Sequence, residues 1–269
     1  MALILHAGKS NKNAYKTLIA AEYAGVLVEF APNFEMGVSN KTPEFLKMNP
    51  IGKIPVLETP DGPIFESNAI ARYVTRLKGD NTLYGSSLID YAHIEQWIDF
   101  SSLEIDANLI KWYSPRMGRA PYLPPAEETA IAALKRALGA LNTYLASNTY
   151  LVGHSVTLAD IIMTCNLYFG FTNLLVKSFT SEFPHVERYF WTLVNQPNFR
   201  KILGQVKGLW LFRGQEVPQF VIDECYDMEL YEWTKVDISD EAQKERVNQM
   251  IEDFEPFEGE PLLDAKCFK

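Results

Sequence analysis

Strand-like patterns stop near residue 79 of this 269-residue chain and return only after about residue 208. Before residue 79, four short apolar runs alternate with segments of helical spacing; the runs lie at 2–6, 26–30, 54–57 and 64–65. From there to about residue 206 no strand pattern appears, and apolar residues fall on single helix faces, as they do between Ile131 and Leu145. This order predicts a β-α-β-α-β-β-α unit followed by an all-helical region.

Acidic side chains are concentrated at the end of the chain. The sequence contains 25 Lys and Arg against 34 Asp and Glu, which gives a net charge of −9. Residues 1–206 hold basic and acidic side chains in equal number, so residues 207–269 carry the whole excess. The acidic balance argues against direct nucleic-acid binding, which relies on neutralising phosphates. The change of composition predicts a separate module after residue 206.

The patterns of cysteine, histidine and the N-terminal residues argue against several further classes of protein. The three cysteines form no C-x-x-C pair, which fits a reducing compartment, and the four histidines show no metal-binding spacing. The first residues lack the basic start and long apolar run of a signal peptide. The longest apolar stretch, 161–176, is interrupted by polar residues and is too short to span a membrane. We expect a cytoplasmic protein without a metal or membrane insertion.

A proline-containing segment at 49–57, Asn-Pro-Ile-Gly-Lys-Ile-Pro-Val-Leu, lies where the second half of the α/β unit begins. Together with the predicted order of elements, it resembles the cytosolic glutathione transferase superfamily over residues 1 to about 206. The resemblance implies a thioredoxin-like domain at 1–79, a helical-bundle domain at 87–206 and a cis bond before Pro55. It also implies that the backbone around Lys53, Ile54 and Pro55 holds the cysteinyl part of glutathione. Alternatively, the cis-proline marks the thioredoxin-like fold in general and no working site.

The pair Glu66-Ser67 precedes the helix predicted at 67–78. In the same superfamily this pair holds the γ-glutamyl end of glutathione. The chemistry fits, because a hydroxyl and free N–H groups at a helix start suit a carboxylate, and an acidic side chain suits an ammonium group. The alternative is that Ser67 only caps its helix. Lys53 departs from the amide side chain that plant serine-type members commonly have there.

Ser10 lies in the loop after the first predicted strand, where serine-type transferases place the residue that activates the glutathione thiol. Activation is needed because the thiolate is the nucleophile. Asn11 and Asn13 stand beside it and can also donate hydrogen bonds. The alternative is that Ser10 or Asn11 only caps the first helix.

Three segments of the tail carry a second resemblance. Residues 208–216 read Gly-Leu-Trp-Leu-Phe-Arg-Gly-Gln-Glu, 231–235 read Tyr-Glu-Trp-Thr-Lys, and the chain ends in Ala-Lys-Cys-Phe-Lys. They resemble the C-terminal end of the gamma-subunit family of translation elongation factor 1, and residues 1–206 resemble the transferase-like region of plant members. The chain lacks the family's long charged linker and the first part of its C-terminal domain. Residues 207–269 are therefore predicted to be a truncated α+β remnant, and we expect residues 208–269 either to be less ordered than 1–206 or to rest against the helical domain.

This second resemblance implies a subunit that holds the guanine-nucleotide exchange subunits of elongation factor 1 during peptide chain elongation and forms a homodimer. No cofactor is expected; glutathione as a ligand or substrate is left open. The alternative is an active glutathione transferase, in which Ser10 activates the thiol and Glu66 and Ser67 hold glutathione. A third reading, from the shortened tail, is an inactive product that competes for the same partners.

Overall fold

The computed structural model of the chain describes residues 3–78, 82–116 and 118–206. The predicted remnant at 207–269 lies outside the described residues. The first part contains a four-stranded sheet and three helices, as predicted. Its elements are β1 Leu3–His6, α1 Lys12–Ala24, β2 Val28–Phe30, α2 Pro43–Met48, β3 Val56–Thr59, β4 Gly62–Phe65 and α3 Ser67–Arg76.

The strand order in the sheet is β2-β1-β3-β4. β1 pairs in parallel with β2 and antiparallel with β3, while β3 and β4 form an antiparallel hairpin. The hairpin turn is tighter than predicted, since Thr59 pairs with Gly62 and its hydroxyl donates to the Gly62 carbonyl at 2.7 Å. β3 begins at Val56, two residues later than predicted, because Pro55 has no N–H to donate to the sheet.

Helices make up the second part, and this confirms the all-helical prediction within the described residues. They are α4 Leu88–Phe100, a π-helical segment Ser101–Asp106, α5 Ala107–Arg116, α6 Pro124–Leu145, α7 Leu158–Asn173, α8 Lys177–Thr180, α9 Pro184–Val194 and α10 Pro197–Leu203. The predicted combination of a thioredoxin-like part and a helical bundle is therefore correct. The boundaries at 79, 87 and 206 stay predictions.

α7 is the central helix of the bundle, as its nearly continuous apolar sequence predicted. Twelve of its sixteen residues are buried. Its first turn is fixed by Asp160, whose carboxylate accepts from the Thr157 N–H and hydroxyl, each at 2.8 Å. The spacing Thr-Leu-Ala-Asp at 157–160 predicts a capping box at a helix start, and the structure confirms it.

α1 belongs to both parts of the molecule. Ala14 and Ala21 pack with the sheet core, whereas Ile19 and Ala20 pack with the core of the helical bundle. The helix contacts α3 on one side and α7 on the other. Polar residues near its first turns therefore lie where the sheet, the start of α3 and the helical bundle meet.

Candidate functional site

The segment around Pro55 forms the first wall of the candidate site. The Ile54–Pro55 peptide bond is cis, as the resemblance implied. The Asn49 side chain holds the backbone that precedes this bond. Its amide nitrogen donates to the Lys53 carbonyl at 2.8 Å, and its oxygen accepts from the Ile51 N–H at 3.2 Å. Lys53 is exposed, and Pro55 is buried at the start of the central strand. From Lys53 to Pro55 the chain thus passes from the surface to the buried start of β3.

Glu66 and Ser67 form the second wall, at the start of α3. Glu66 occupies the N-cap position with a left-handed backbone, φ 70°, and its side chain makes no cap hydrogen bond. Ser67 is the first residue inside the helix, so the suggestion that it caps the helix is wrong. The Ser67 hydroxyl faces the first helix, where Asn13 Oδ1 lies 3.5 Å from its oxygen.

Lys16 lies behind Ser67 and was not predicted as a site residue. Its side chain is buried, with 3% of the residue exposed, and its ammonium donates to Asn68 Oδ1 at 3.2 Å and to Ser67 Oγ at 3.4 Å. Burial lowers the pKa of Lys16 to about 8, although the nearby charge of Asp106 raises it in part. The sequence carried one signal, because a lysine stands on the face of α1 that is otherwise buried and mostly apolar.

Hydrogen bonds connect this wall to the helical bundle. Asn68 Nδ2 donates to Ser102 Oγ at 2.9 Å, and Lys12 forms an ion pair with Asp106. Both partners belong to the π-helical segment, a form of helix that often occurs at functional sites. The first turns of α1, the start of α3 and the π-helical segment therefore form one polar cluster.

Ser10 and Asn11 have different roles in the loop before α1. Asn11 caps the helix, since its side-chain oxygen accepts from the N–H groups of Asn13 at 2.8 Å and Ala14 at 3.3 Å. Ser10 is exposed and its side chain hydrogen-bonds to Tyr15, which partly offsets the rise in the Tyr15 pKa caused by burial. Capping thus does not account for Ser10, and its role in thiol activation stays a prediction.

Two features are absent from the described part of the chain. Within residues 3–78, 82–116 and 118–206, no three His, Cys, Asp or Glu side chains are grouped so that they could hold a metal ion. None of the helices in these ranges has the length and apolar character needed to cross a membrane.

Comparison with known proteins identifies the two structural parts. Residues 1–76 match the glutathione S-transferase N-terminal domain, and residues 107–197 match the glutathione S-transferase C-terminal domain. Elongation factor 1-gamma of Prunus avium is 52% identical, and the match covers 100% of both chains. The chain belongs to the elongation factor 1-gamma family. The alignment runs over 422 positions, so an internal part of the cherry relative has no counterpart in these 269 residues.

Solved structures agree with this family assignment at the level of the fold. The transferase-like domain of elongation factor 1-gamma from Saccharomyces cerevisiae aligns with a TM-score of 0.66 and 20% identity, over 77% of this chain and 94% of the yeast domain. The glutathione transferase URE2P6 of Phanerochaete chrysosporium, solved with oxidized glutathione, aligns with a TM-score of 0.67 and 27% identity, over 75% and 94% of the two chains. The gamma family therefore shares its fold with enzymes that bind glutathione.

Proposed function

We propose that this chain is a subunit of the translation elongation factor 1 complex and holds the guanine-nucleotide exchange subunits through its transferase-like region. The observation that carries the proposal is the 52% identity to a plant elongation factor 1-gamma along the whole of both chains. Residues 1–76 and 107–197 match both glutathione S-transferase domains, so the region assigned to assembly is present. Location in the cytoplasm is part of the same proposal.

Apolar side chains on the surface support a role in assembly. Several are exposed on the helical part: Leu88 at 83%, Leu103 at 68%, Ile89 at 60% and Leu123 at 59%. Single exposed apolar residues are ordinary, but Leu88 and Ile89 are adjacent in the first turn of α4. A protein partner, whether an exchange subunit or a second copy of this chain, would remove such residues from water.

The experiment is capture of the tagged full chain with recombinant exchange subunits, with glutathione omitted throughout. We expect stable co-purification, and the Ser10→Ala and Ser67→Ala variants should capture the same amount because assembly does not use the glutathione site. Light scattering of the chain alone tests the homodimer. Failure of the folded chain to retain any exchange subunit would contradict the proposal.

A second candidate function is glutathione binding with weak transferase activity. It is favoured by the combination of the cis bond before Pro55 with a Ser67 hydroxyl that does not cap its own helix. In this proposal, backbone groups at Lys53, Ile54 and Pro55 hold the cysteinyl part, and Glu66 and Ser67 hold the γ-glutamyl end. Ser10 lies in the adjoining loop and stabilises the thiolate.

Two neighbouring variants separate thiol activation from helix capping. Ser10→Ala should lower kcat/KM for conjugation about 100-fold, by analogy with the loss of one oxyanion-hole donor, without lowering the melting temperature. Asn11→Ala should lower the melting temperature, because it removes the cap of α1, which contributes about 1 kcal/mol. Thiolate absorbance of bound glutathione gives a direct reading of the thiol pKa. Unchanged turnover in Ser10→Ala would remove Ser10 from the proposal.

A further inference from the structure

The buried ammonium of Lys16 faces only neutral acceptors. Its hydrogen-bond partners are the Ser67 hydroxyl and the Asn68 amide oxygen, and among the described residues no carboxylate forms an ion pair with it. Asp106, the nearest acidic influence on its pKa, is paired with Lys12 instead. A buried charge without a counter-ion is costly to the fold. Such a group is a candidate for a functional role when it lies at a ligand site.

The direction of the hydrogen bonds follows from the chemistry of lysine. An ammonium group can only donate, so the Ser67 oxygen accepts from Lys16 and its own hydrogen must point elsewhere. In the structure the available acceptor is Asn13 Oδ1, 3.5 Å away, which is the limit of a hydrogen bond. Asn68 is held in place as well, because its amide nitrogen donates to Ser102. The Ser67 hydroxyl is thus set to donate to a stronger acceptor than Asn13.

We infer that Lys16 is a positioning residue for the γ-glutamyl carboxylate of glutathione: it turns the Ser67 hydroxyl toward that carboxylate and adds a positive charge behind it. This inference rests on the glutathione site proposed above. A carboxylate accepts strong hydrogen bonds and is favoured at the start of a helix, here the ten-residue α3. Glu66 stands beside it with an exposed acidic side chain, which suits the ammonium group of the same γ-glutamyl end.

Four other titratable groups influence the pKa of Lys16, one from α1 itself and three from neighbouring parts of the structure. Lys12 lies on α1 itself, Glu66 precedes α3, Asp106 ends the π-helical segment and Cys165 lies on α7. Burial raises the pKa of Cys165 to about 12, so it stays neutral at ordinary pH. Lys12 and Asp106 pair with each other and Glu66 is exposed to solvent, so among these groups Lys16 is the buried cation without an ion-pair partner in the described residues. The bound carboxylate would be its counter-ion.

Titration calorimetry of glutathione into the full chain at pH 7 tests the inference with a double-mutant cycle. Lys16→Met and Ser67→Ala should each weaken binding about tenfold or more, as expected for hydrogen bonds that involve a charged group. Because Lys16 acts in part through Ser67, the loss of affinity in the double variant should be smaller than the product of the two single losses. Full affinity in Lys16→Met, or losses that multiply in the double variant, would overturn the inference.

The wild-type titration separates this inference from the glutathione proposal. If the wild-type chain binds no glutathione, the glutathione proposal fails and the inference fails with it. If it binds and Lys16→Met binds equally well, only the inference fails. Melting curves check the fold of each variant, and Lys16→Met should melt no lower than the wild type because it removes a buried charge.

The pH dependence of binding gives a reading that a purely structural role would not change. The wild type should lose affinity between pH 7 and 9 more steeply than Lys16→Arg, because arginine stays protonated while Lys16, with its pKa of about 8, does not. Titration of the ligand itself is the same in both proteins and cancels. The loss of affinity with pH should also be shallower in Ser67→Ala than in the wild type, a comparison that needs no change at Lys16. Equal slopes in all three proteins would contradict the inference.

Discussion

Asp160 and Lys16 are both buried charges, but their surroundings differ. Asp160 is fully buried in the first turn of α7 and accepts four hydrogen bonds, from Leu151 N–H at 2.9 Å, Thr157 N–H and Oγ1 at 2.8 Å each, and Tyr189 O–H at 2.9 Å. Lys16 makes two longer hydrogen bonds, at 3.2 and 3.4 Å, to neutral groups. One charge is fully satisfied within the fold and the other is not.

The difference indicates what each charge does. Burial raises the pKa of Asp160 while its four donors act in the opposite direction, and every donor comes from the helical part. Its carboxylate therefore joins the start of α7 to the preceding loop and to α9. Lys16 can donate a third hydrogen bond and lies beside the start of α3. A buried charge with all its hydrogen bonds made serves the fold, whereas one with an unused donor beside a proposed ligand site is a candidate to contact the ligand.

The largest expected effect comes from removing the saturated charge. Asp160→Ala leaves four donors without an acceptor in a buried site, so the free energy of unfolding should fall by about 3 kcal/mol or more. Urea denaturation followed by circular dichroism measures it. Because the affected groups lie far from the start of α3 in the chain, any folded protein that remains should still bind glutathione if the wild type does.

α4 offers a matched control for that variant. Asp90 and Ser87 form the same type of capping box, but Asp90 is only partly buried, whereas Asp160 is fully buried. Asp90→Ala removes the same side chain at the same helix position, and water can replace its contacts, so the loss of stability should be clearly smaller. Equal losses of stability in the two variants would show that Asp160 stabilises the fold as a helix cap and not by accepting hydrogen bonds from buried donors.

Removing the Lys16 charge should raise the free energy of unfolding, by an amount that depends on pH. The pKa of Lys16 is lowered in the folded chain from 10.5 to about 8, so the unfolded chain binds more protons between these values and stability rises with pH across that window. From pH 7 to 10 the wild type should therefore gain about 2 kcal/mol relative to Lys16→Met. Below pH 7 the difference between the two proteins should stay constant.

Urea denaturation of both proteins at pH 7, 8.5 and 10 checks this prediction. Contributions from other groups that titrate in this range are shared by the two chains and cancel in the comparison. A stability difference that does not change with pH would mean that Lys16 is hydrated in the folded protein, and the comparison with Asp160 would lose its basis.

The contrast also explains what could be predicted from the sequence. The interactions of Asp160 with Thr157 depend on residues three apart, so local spacing was enough to predict them. The cis bond before Pro55 was implied by a short motif within a recognisable order of elements. Lys16 hydrogen-bonds to Ser67 and Asn68, which lie 51 and 52 positions further along the chain. No local pattern shows that its helix face is covered by α3. The π-helical segment at 101–106 has no pattern of its own, which is why it was not predicted.

Some strand and helix ends differ from the predicted ones for related reasons. Asn11 caps α1 and starts it at Lys12, earlier than the apolar pattern indicated, because capping depends on one side chain and not on periodicity. The sequence could not decide between Ser10 and Asn11 as the cap. Only the backbone geometry of the loop separates them.

Glu127 provides an intermediate case, and the smallest of the expected effects. It is 7% exposed at the start of α6 and forms an ion pair with Arg116, 2.6 Å from Oε1 to Nη2. Glu127→Gln keeps one acceptor but removes the charge, so stability should fall by about 1 kcal/mol. The matched control is Glu182→Gln, because Glu182 pairs with Lys135 at the same 2.6 Å while both side chains are more than two-fifths exposed. A loss in Glu182→Gln as large as that in Glu127→Gln would show that pairing distance, and not burial, determines what these charges contribute.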